Sequence, residues 1–244
     1  MKKTVICNIS MKENLDQVIY SSTDRSLPVS DRKVSYPICA FLEKTMTSED
    51  ELDAILLVKK DKNDHYKKNI ERFREELEAV NEKIDADISY TIIDSEFEEH
   101  QTVHEQLMKE IVAHISDNSH ILADITYGPK DLPIVLLTTL SFAEKFLNCT
   151  VDNIVYGQAS FENGRAVDTK ICDMMPLYCL SSVTNTIQCT DPDKARRMFN
   201  TLLNVHFEKL PVPPFYPKRT TAIPESVSHI FLYQLSCTYP HSPL

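Results

Sequence analysis

The sequence predicts an α/β protein: a doubly wound, mostly parallel sheet with a β-hairpin insertion and a helical, proline-rich C-terminal extension. Three observations lead there. Short apolar runs alternate with longer stretches of helical period, the rhythm of β-α-β units. The run Ile121-Leu122-Ala123-Asp124-Ile125-Thr126 is apolar on both sides except for one carboxylate, as a strand covered by helices on two faces must be. It stops at Tyr127-Gly128-Pro129, which is turn chemistry, and a helix reads from Asp131 to Phe146 with Pro133 tolerated in its first turn.

Taken in order, the first strand is Thr4 to Ile9, with Asn8 and Ser10 at its end. Residues 21–33 are polar and read as a flexible lid or a disordered loop. A helix starts within Tyr36 to Lys44, and Leu52 to Val58 is the second strand. From Lys62 to Lys83, Tyr66, Ile70, Phe73, Leu77, Val80 and Ile84 recur at spacings of four and three. That stripe packs on the sheet or on a partner helix. Ile88 to Ile93 is the third strand, Ser95 to His100 an acidic connection, and Val103, Leu107, Ile111 and Ile115 mark the next helix. The fourth strand, its turn and its helix follow, with Asn148 suited to a left-handed cap. Val151 to Tyr156 is the fifth strand, closed by Gly157. Asn163-Gly164 then turns a hairpin between strands near 158–162 and 166–172. Leu177 to Ile187 and Asp193 to Val205 read as helices. Seven of the thirteen prolines lie between Pro211 and Pro243. The expected division is 1–174 for the sheet domain, 175–206 for a helical extension and 207–244 for a proline-rich tail or linker.

Composition excludes several classes. The net charge of −10 argues against broad contact with DNA or other nucleic acid, which needs lysine and arginine to displace counterions. A local positive pocket for a small anion remains compatible with it. No apolar run approaches the roughly 20 residues of a membrane span, so a cytoplasmic protein is expected, with no membrane partner. The seven cysteines contain no C-x-x-C pair, so no zinc site or disulfide framework is signalled. His100 and His104, four apart, have the spacing of a metal pair but no third ligand. No dinucleotide or P-loop glycine motif occurs, and no metal or cofactor is expected.

The candidate site lies at the carboxyl ends of the strands, where ligands bind in open α/β sheets. A helix amino terminus there offers free N–H groups and positive dipole charge to an anion. Lys130 sits in the turn to add a full charge; its plainer reading is a solvated surface group. Asn8 and Ser10 could hydrogen-bond a phosphate or a ribose hydroxyl, or form an ordinary polar turn. Two of the three glycines, Gly128 and Gly157, sit at neighbouring strand ends, where backbone approaches something closely or turns sharply.

These residues carry a resemblance. The pattern D-I-T-x-G-x-K-x-L-P, formed by Asp124, Ile125, Thr126, Gly128, Lys130, Leu132 and Pro133, resembles the hallmark of CRISPR-associated Rossmann fold (CARF) proteins of type III CRISPR systems, some of which read "DITHGFRSLP". NIVYGQASF at 153–161, ICDMMPLYCL at 171–180 and the opening TVICNIS match further family elements in order. The resemblance spans roughly residues 1–205, and residues 11–50 match nothing in it. It implies a Rossmann-like fold and a homodimeric sensor that binds a cyclic oligoadenylate (tetra- or hexa-adenylate) across the twofold axis and controls an effector. It also allows a metal-independent ring nuclease that ends the signal by attack of the ribose 2′-hydroxyl on its own phosphate. The ligand-binding set it implies is Asn8, Ser10, Asp124, Thr126, Tyr127, Gly128, Lys130 and Gly157. Thr126 and Ser10 would bind ribose or phosphate, Lys130 would neutralise phosphate, and the Gly128 turn would donate N–H groups. Asp124 would hold the turn or meet an adenine amino group. The catalytic residues of a ring nuclease stay unassigned, because the one histidine near the motif, His120, lies at the far end of its strand. No effector site is legible: Asp168-Thr169-Lys170 has the D-x-K form of a nuclease without a partner carboxylate. A sensor domain without an effector, either naturally alone or cut from a longer protein, is therefore expected, with an effector domain or partner protein as its possible output. An α/β domain that binds another mononucleotide, or serves as a scaffold, is the remaining reading.

Overall fold

The structure, a computed structural model, describes residues 1–22, 27–60, 62–96, 100–162, 165–186 and 191–204. In chain order its elements are β1 (Lys2–Asn8), β2 (Val18–Ile19), β3 (Ser21–Ser22), β4 (Lys33–Val34), α1 (Pro37–Thr45), β5 (Glu51–Lys60), α2 (His65–Asn81), β6 (Asp87–Glu96), α3 (Gln101–His114), β7 (His120–Asp124), α4 (Asp131–Phe146), β8 (Thr150–Glu162), β9 (Arg165–Asp173), α5 (Met175–Thr186) and α6 (Pro192–Asn204). Residues 1–195 make one compact unit and 196–244 a second. Of the second, the described residues are the remainder of α6. The proline-rich tail expected from 207 and the hairpin tip at 163–164 lie outside the described residues. Among the described residues no helix is long and apolar enough to cross a membrane.

Seven strands form one sheet in the order β3-β9-β8-β7-β1-β5-β6. From β8 to β6 every pairing is parallel, and β9 runs antiparallel beside β8. The fold is thus the expected doubly wound α/β architecture, Rossmann-like in its strand order. Alternation along the central strands sorts their side chains into two cores. Val5, Cys7, Leu56 and Leu122 face one side with Phe41 of α1 and Phe73 and Leu77 of α2. Ile6, Leu57, Ile121 and Ala123 face the other with Leu107 and Ile111 of α3 and Leu136 and Leu140 of α4. Each fully buried Leu, Ile or Phe contributes ~1.5–3 kcal/mol by leaving water. The α2 stripe is therefore spent inside the chain, on the sheet and α1.

Three expectations need correction. Tyr156 does not end a strand: β8 continues through Gly157 to Glu162, so the fifth strand and the first hairpin strand are one element with an irregularity between Gln158 and Ser160. Thr126 lies past the end of β7, not within it. Where it is described, the segment 21–33 is not a disordered loop. Ser21–Ser22 closes the sheet edge against β9, Leu27 and Ser30 are buried, and Arg32 forms a bidentate pair with Glu43 at 3.0 and 2.7 Å. Residues 23–26 lie outside the description.

Candidate functional site

The winding reverses between β1 and β7. The chain leaves β1 through α1 toward β5 and returns from β6 through α3 to β7, so α1 and α2 cover one face and α3 and α4 the other. The carboxyl ends of these two strands are the switch point at which such sheets take ligands. Asn8 is the last residue of β1, and the turn 125–130 joins β7 to α4 above it.

On the α4 side, Gly128 has φ +93°, a left-handed conformation that favours glycine. A Cβ there would stand 2.7 Å from Leu132 Cδ1 and 3.6 Å from Asn8 Cβ, so the turn lies directly against Asn8. Asn8 is 0% exposed, and neither Oδ1 nor Nδ2 has a hydrogen-bond partner among the described residues. An unpaired buried amide costs ~1–3 kcal/mol or more. Lys130 is exposed and occupies the N-cap position of α4. The helix offers fewer donors than its sequence suggests. Leu132 N–H is bonded to Pro129 O at 3.2 Å and Pro133 has no N–H, which leaves Asp131 N–H among the first three helical positions.

The Asp131 side chain is engaged instead. His104 Nε2 lies 3.0 Å from Asp131 Oδ2, and the Lys59 ammonium, on a side chain 1% exposed, lies 3.8 Å from the same oxygen. Asp131 Oδ1 is buried without a hydrogen-bond partner among the described residues. His100 instead meets the Thr102 hydroxyl, so the two histidines do not converge. Among the described residues no cluster of three potential metal ligands occurs.

On the α1 side the predicted residues brace the scaffold. Asp124 is 1% exposed; its Oδ1 accepts the Thr126 N–H at 2.8 Å and its Oδ2 accepts the Ile38 N–H at 3.2 Å. It thereby holds the turn and caps α1, whose own N-cap residue, Tyr36, supplies no side-chain bond. Burial pushes the Asp124 carboxyl up from 3.8 to about 6, against the pull of the Thr126 and Ile38 hydrogen bonds. The Thr126 hydroxyl accepts Gly157 N–H at 2.8 Å and ties β7 to β8. A Cβ on Gly157 would overlap Pro37 Cγ, so this glycine serves close approach rather than a strand end. The Tyr127 hydroxyl donates to Ser35 O at 2.7 Å and its ring packs edge-on against Tyr36; burial drives its pKa far upward. Ser10 is 1% exposed, with its hydroxyl accepting Lys12 N–H at 3.1 Å, the local polar turn that was the plainer reading of its sequence.

The eight predicted residues therefore divide. Asn8 and Gly128 are in contact at the start of α4 and Lys130 is exposed at its N-cap, whereas Asp124, Thr126, Tyr127 and Gly157 brace the turn and Ser10 closes a local turn of its own. The sequence did not signal that Lys59, His104 and Asp131 come together. Lys59 closes an apolar strand and Asp131 opens a helix, and no local spacing pairs them. His120 binds Asp152 at 3.0 Å, away from the switch point. Asp168 pairs with Lys170 at 3.0 Å. A hollow of about 220 Å³ lies between β6 and α3, lined by Asp94, Thr102, Gln106 and Glu110 among others. Its acidic rim suits an anion poorly.

No family model matches the chain, and no curated protein does. A solved structure that it partly resembles is that of a candidate phosphofructokinase from Staphylococcus aureus, 13% identical, with 71% of this chain and 74% of that one covered and a TM-score of 0.27. A likeness of that size carries no argument about ligand or activity. The class defined by fold and site is a Rossmann-like α/β protein with an under-satisfied polar site at its switch point.

Proposed function

We propose that this chain is a sensor domain that binds a cyclic oligoadenylate and, as a homodimer, passes that occupancy to an effector domain or partner protein. The observation that carries the reading is the fully buried Asn8 amide, with no partner among the described residues on either atom and pressed against the Gly128 turn. An amide with one acceptor and two donors suits a ribose hydroxyl, a phosphate oxygen or an adenine edge. Lys130 supplies positive charge at the same corner of a protein whose net charge is −10. A ring of repeated nucleotides presents the same groups twice, which a twofold dimer can meet with one set of residues used twice.

The test is equilibrium binding of labelled cyclic tetra- and hexa-adenylate to the wild type, Asn8→Val and Lys130→Ala. The wild type should bind one ring at micromolar concentration or tighter, and each variant should lose about tenfold or more. Asn8→Val should unfold no earlier than the wild type, because removing an unpaired buried amide is neutral or stabilising by ~1–2 kcal/mol. Absence of binding by the wild type at micromolar protein defeats the proposal, as does Asn8→Val binding like the wild type.

A further inference from the structure

β6 stands at an edge of the sheet. All ten of its residues pair with β5 on one side, and among the described residues no strand pairs with the other. An edge strand presents a row of N–H and C=O groups to any strand that comes beside it, and proteins blunt such edges with lysine, proline or short length. β6 uses none of these. Its sequence, DISYTIIDSE, contains no lysine, arginine or proline, and Ile92 is 42% exposed. The two faces of this edge differ. Ile88 and Tyr90 pack on the α2 face, where the Arg74 guanidinium lies 5.2 Å from the Tyr90 ring, and Ile92 follows them by the period of two. Ile93 packs on the α3 face, and the hollow of about 220 Å³ opens between β6 and α3. Val103 and Leu107 line it with apolar side chains, Asp94 and Glu110 with carboxylates, and no lining residue is basic. Lys60 pairs with Asp94, whereas Glu110 has a neutral partner, the Gln106 amide at 2.8 Å. Ser95 also lines the hollow, and its hydroxyl has no hydrogen-bond partner among the described residues.

We infer that the outer edge of β6 is a docking surface for an extended segment of a partner polypeptide, basic at alternate positions, which adds to the seven-stranded sheet as a further strand. Main-chain hydrogen bonds to β6 supply the affinity common to strand additions, and the two faces choose the side chains. Side chains of an added strand alternate between those faces. On the α2 face they meet Ile92 and Tyr90 and are apolar, because the Arg74 charge already stands there. On the α3 face they reach the hollow, where the aliphatic stem of an arginine or lysine lies on Val103 and Leu107 and its charge meets Glu110. Charge also selects the occupant. β6 carries the exposed Asp87 and Asp94 on a chain of net charge −10, which disfavours a second copy of the same strand and favours a basic one. This surface lies two strands from β1 and does not rest on the ring reading above.

The experiment is fluorescence anisotropy of a labelled, acetylated heptapeptide that alternates valine and arginine, titrated with the 244-residue chain. The wild type should bind it with a Kd of about 100 µM or tighter. A peptide with glutamate in place of arginine should bind about tenfold more weakly or worse. Two further peptides carry backbone N-methyl groups, on the valines in one and on the arginines in the other. One should lose binding and the other keep it, because only alternate N–H groups of an added strand face its neighbour. Glu110→Lys should bind the arginine peptide about tenfold more weakly. Ile92→Lys should also weaken it, while leaving the oligomeric state of the chain in sedimentation unchanged. Absence of binding at about 500 µM wild-type chain overturns the inference. An equal effect of the two N-methylations does so too, since charge attraction without strand pairing would then explain the binding. Wild-type affinity in Glu110→Lys overturns it as well, and so does self-association that Ile92→Lys abolishes, which would assign the edge to a second copy. The peptide controls use the wild type alone and decide the matter even where a variant fails to fold.

Discussion

Asp124→Asn tests whether the carboxylate of the central motif serves the scaffold. In the folded protein burial raises its carboxyl from 3.8 to about 6. The native state then holds a proton that the unfolded chain has already released. Stability from this group therefore falls as pH rises from about 4 to about 6, and the full cost is present above that range. A shift of about 2 pH units corresponds to ~3 kcal/mol. Asparagine escapes this cost, but its NH₂ cannot accept, whereas the protonated acid, the native form near pH 4.5, keeps a hydroxyl oxygen that can. Either the 2.8 Å bond from Thr126 N–H or the 3.2 Å bond from Ile38 N–H is lost, and the amide NH₂ faces a donor, at ~1–3 kcal/mol. The variant should thus be less stable than wild type by ~1–3 kcal/mol near pH 4.5 and should match or exceed it above about pH 7. Urea unfolding of both proteins across this range gives the result as a difference. Carboxylates common to both cancel, including Glu43, which its hydrogen bond from Arg32 holds down to about 2. A difference that stays constant with pH refutes the reasoning.

Two further outcomes follow from packing and charge. Gly157→Ala should destabilise by ~2–4 kcal/mol, because the new Cβ overlaps the rigid Pro37 ring, lies 3.1 Å from Thr126 Cγ2 and strains the Gly157–Thr126 hydrogen bond. A loss under ~0.5 kcal/mol in urea unfolding would show that contact to be slack. Asp50→Ala should cost ~3–5 kcal/mol, since it strands the buried Lys3 ammonium now 2.6 Å from Asp50 and frees Thr47 N–H. The double variant Asp50→Ala with Lys3→Met should recover part of that loss, and a double variant as unstable as the sum of the singles would refute the ion-pair account.

The sequence by itself determined the elements and their faces. The helix Asp131–Phe146 is found over that range, Asn148 takes the left-handed conformation at φ +54° that its place after the helix predicts, and the stripe Ile70, Phe73, Leu77, Val80 is buried on one face of α2. Each follows from local physics: the period of burial, the terminus of a helix, the steric freedom of one residue. The motif's glycine turn and its lysine were legible for the same reason. Only the tertiary structure decided what each polar group touches. Asp124 caps a helix whose bonded N–H belongs to Ile38, 86 residues away, and Asp131 meets His104 across 27. Gly157, read as a strand end, proves to be a mid-strand contact with Pro37. Those pairings are set by the order in which strands assemble in the sheet, a property of the whole chain that no local window contains. The same assembly buried Asn8 without a hydrogen-bond partner among the described residues and left Lys130 exposed. That assignment separates the residues that hold the turn from those it leaves unpaired or exposed.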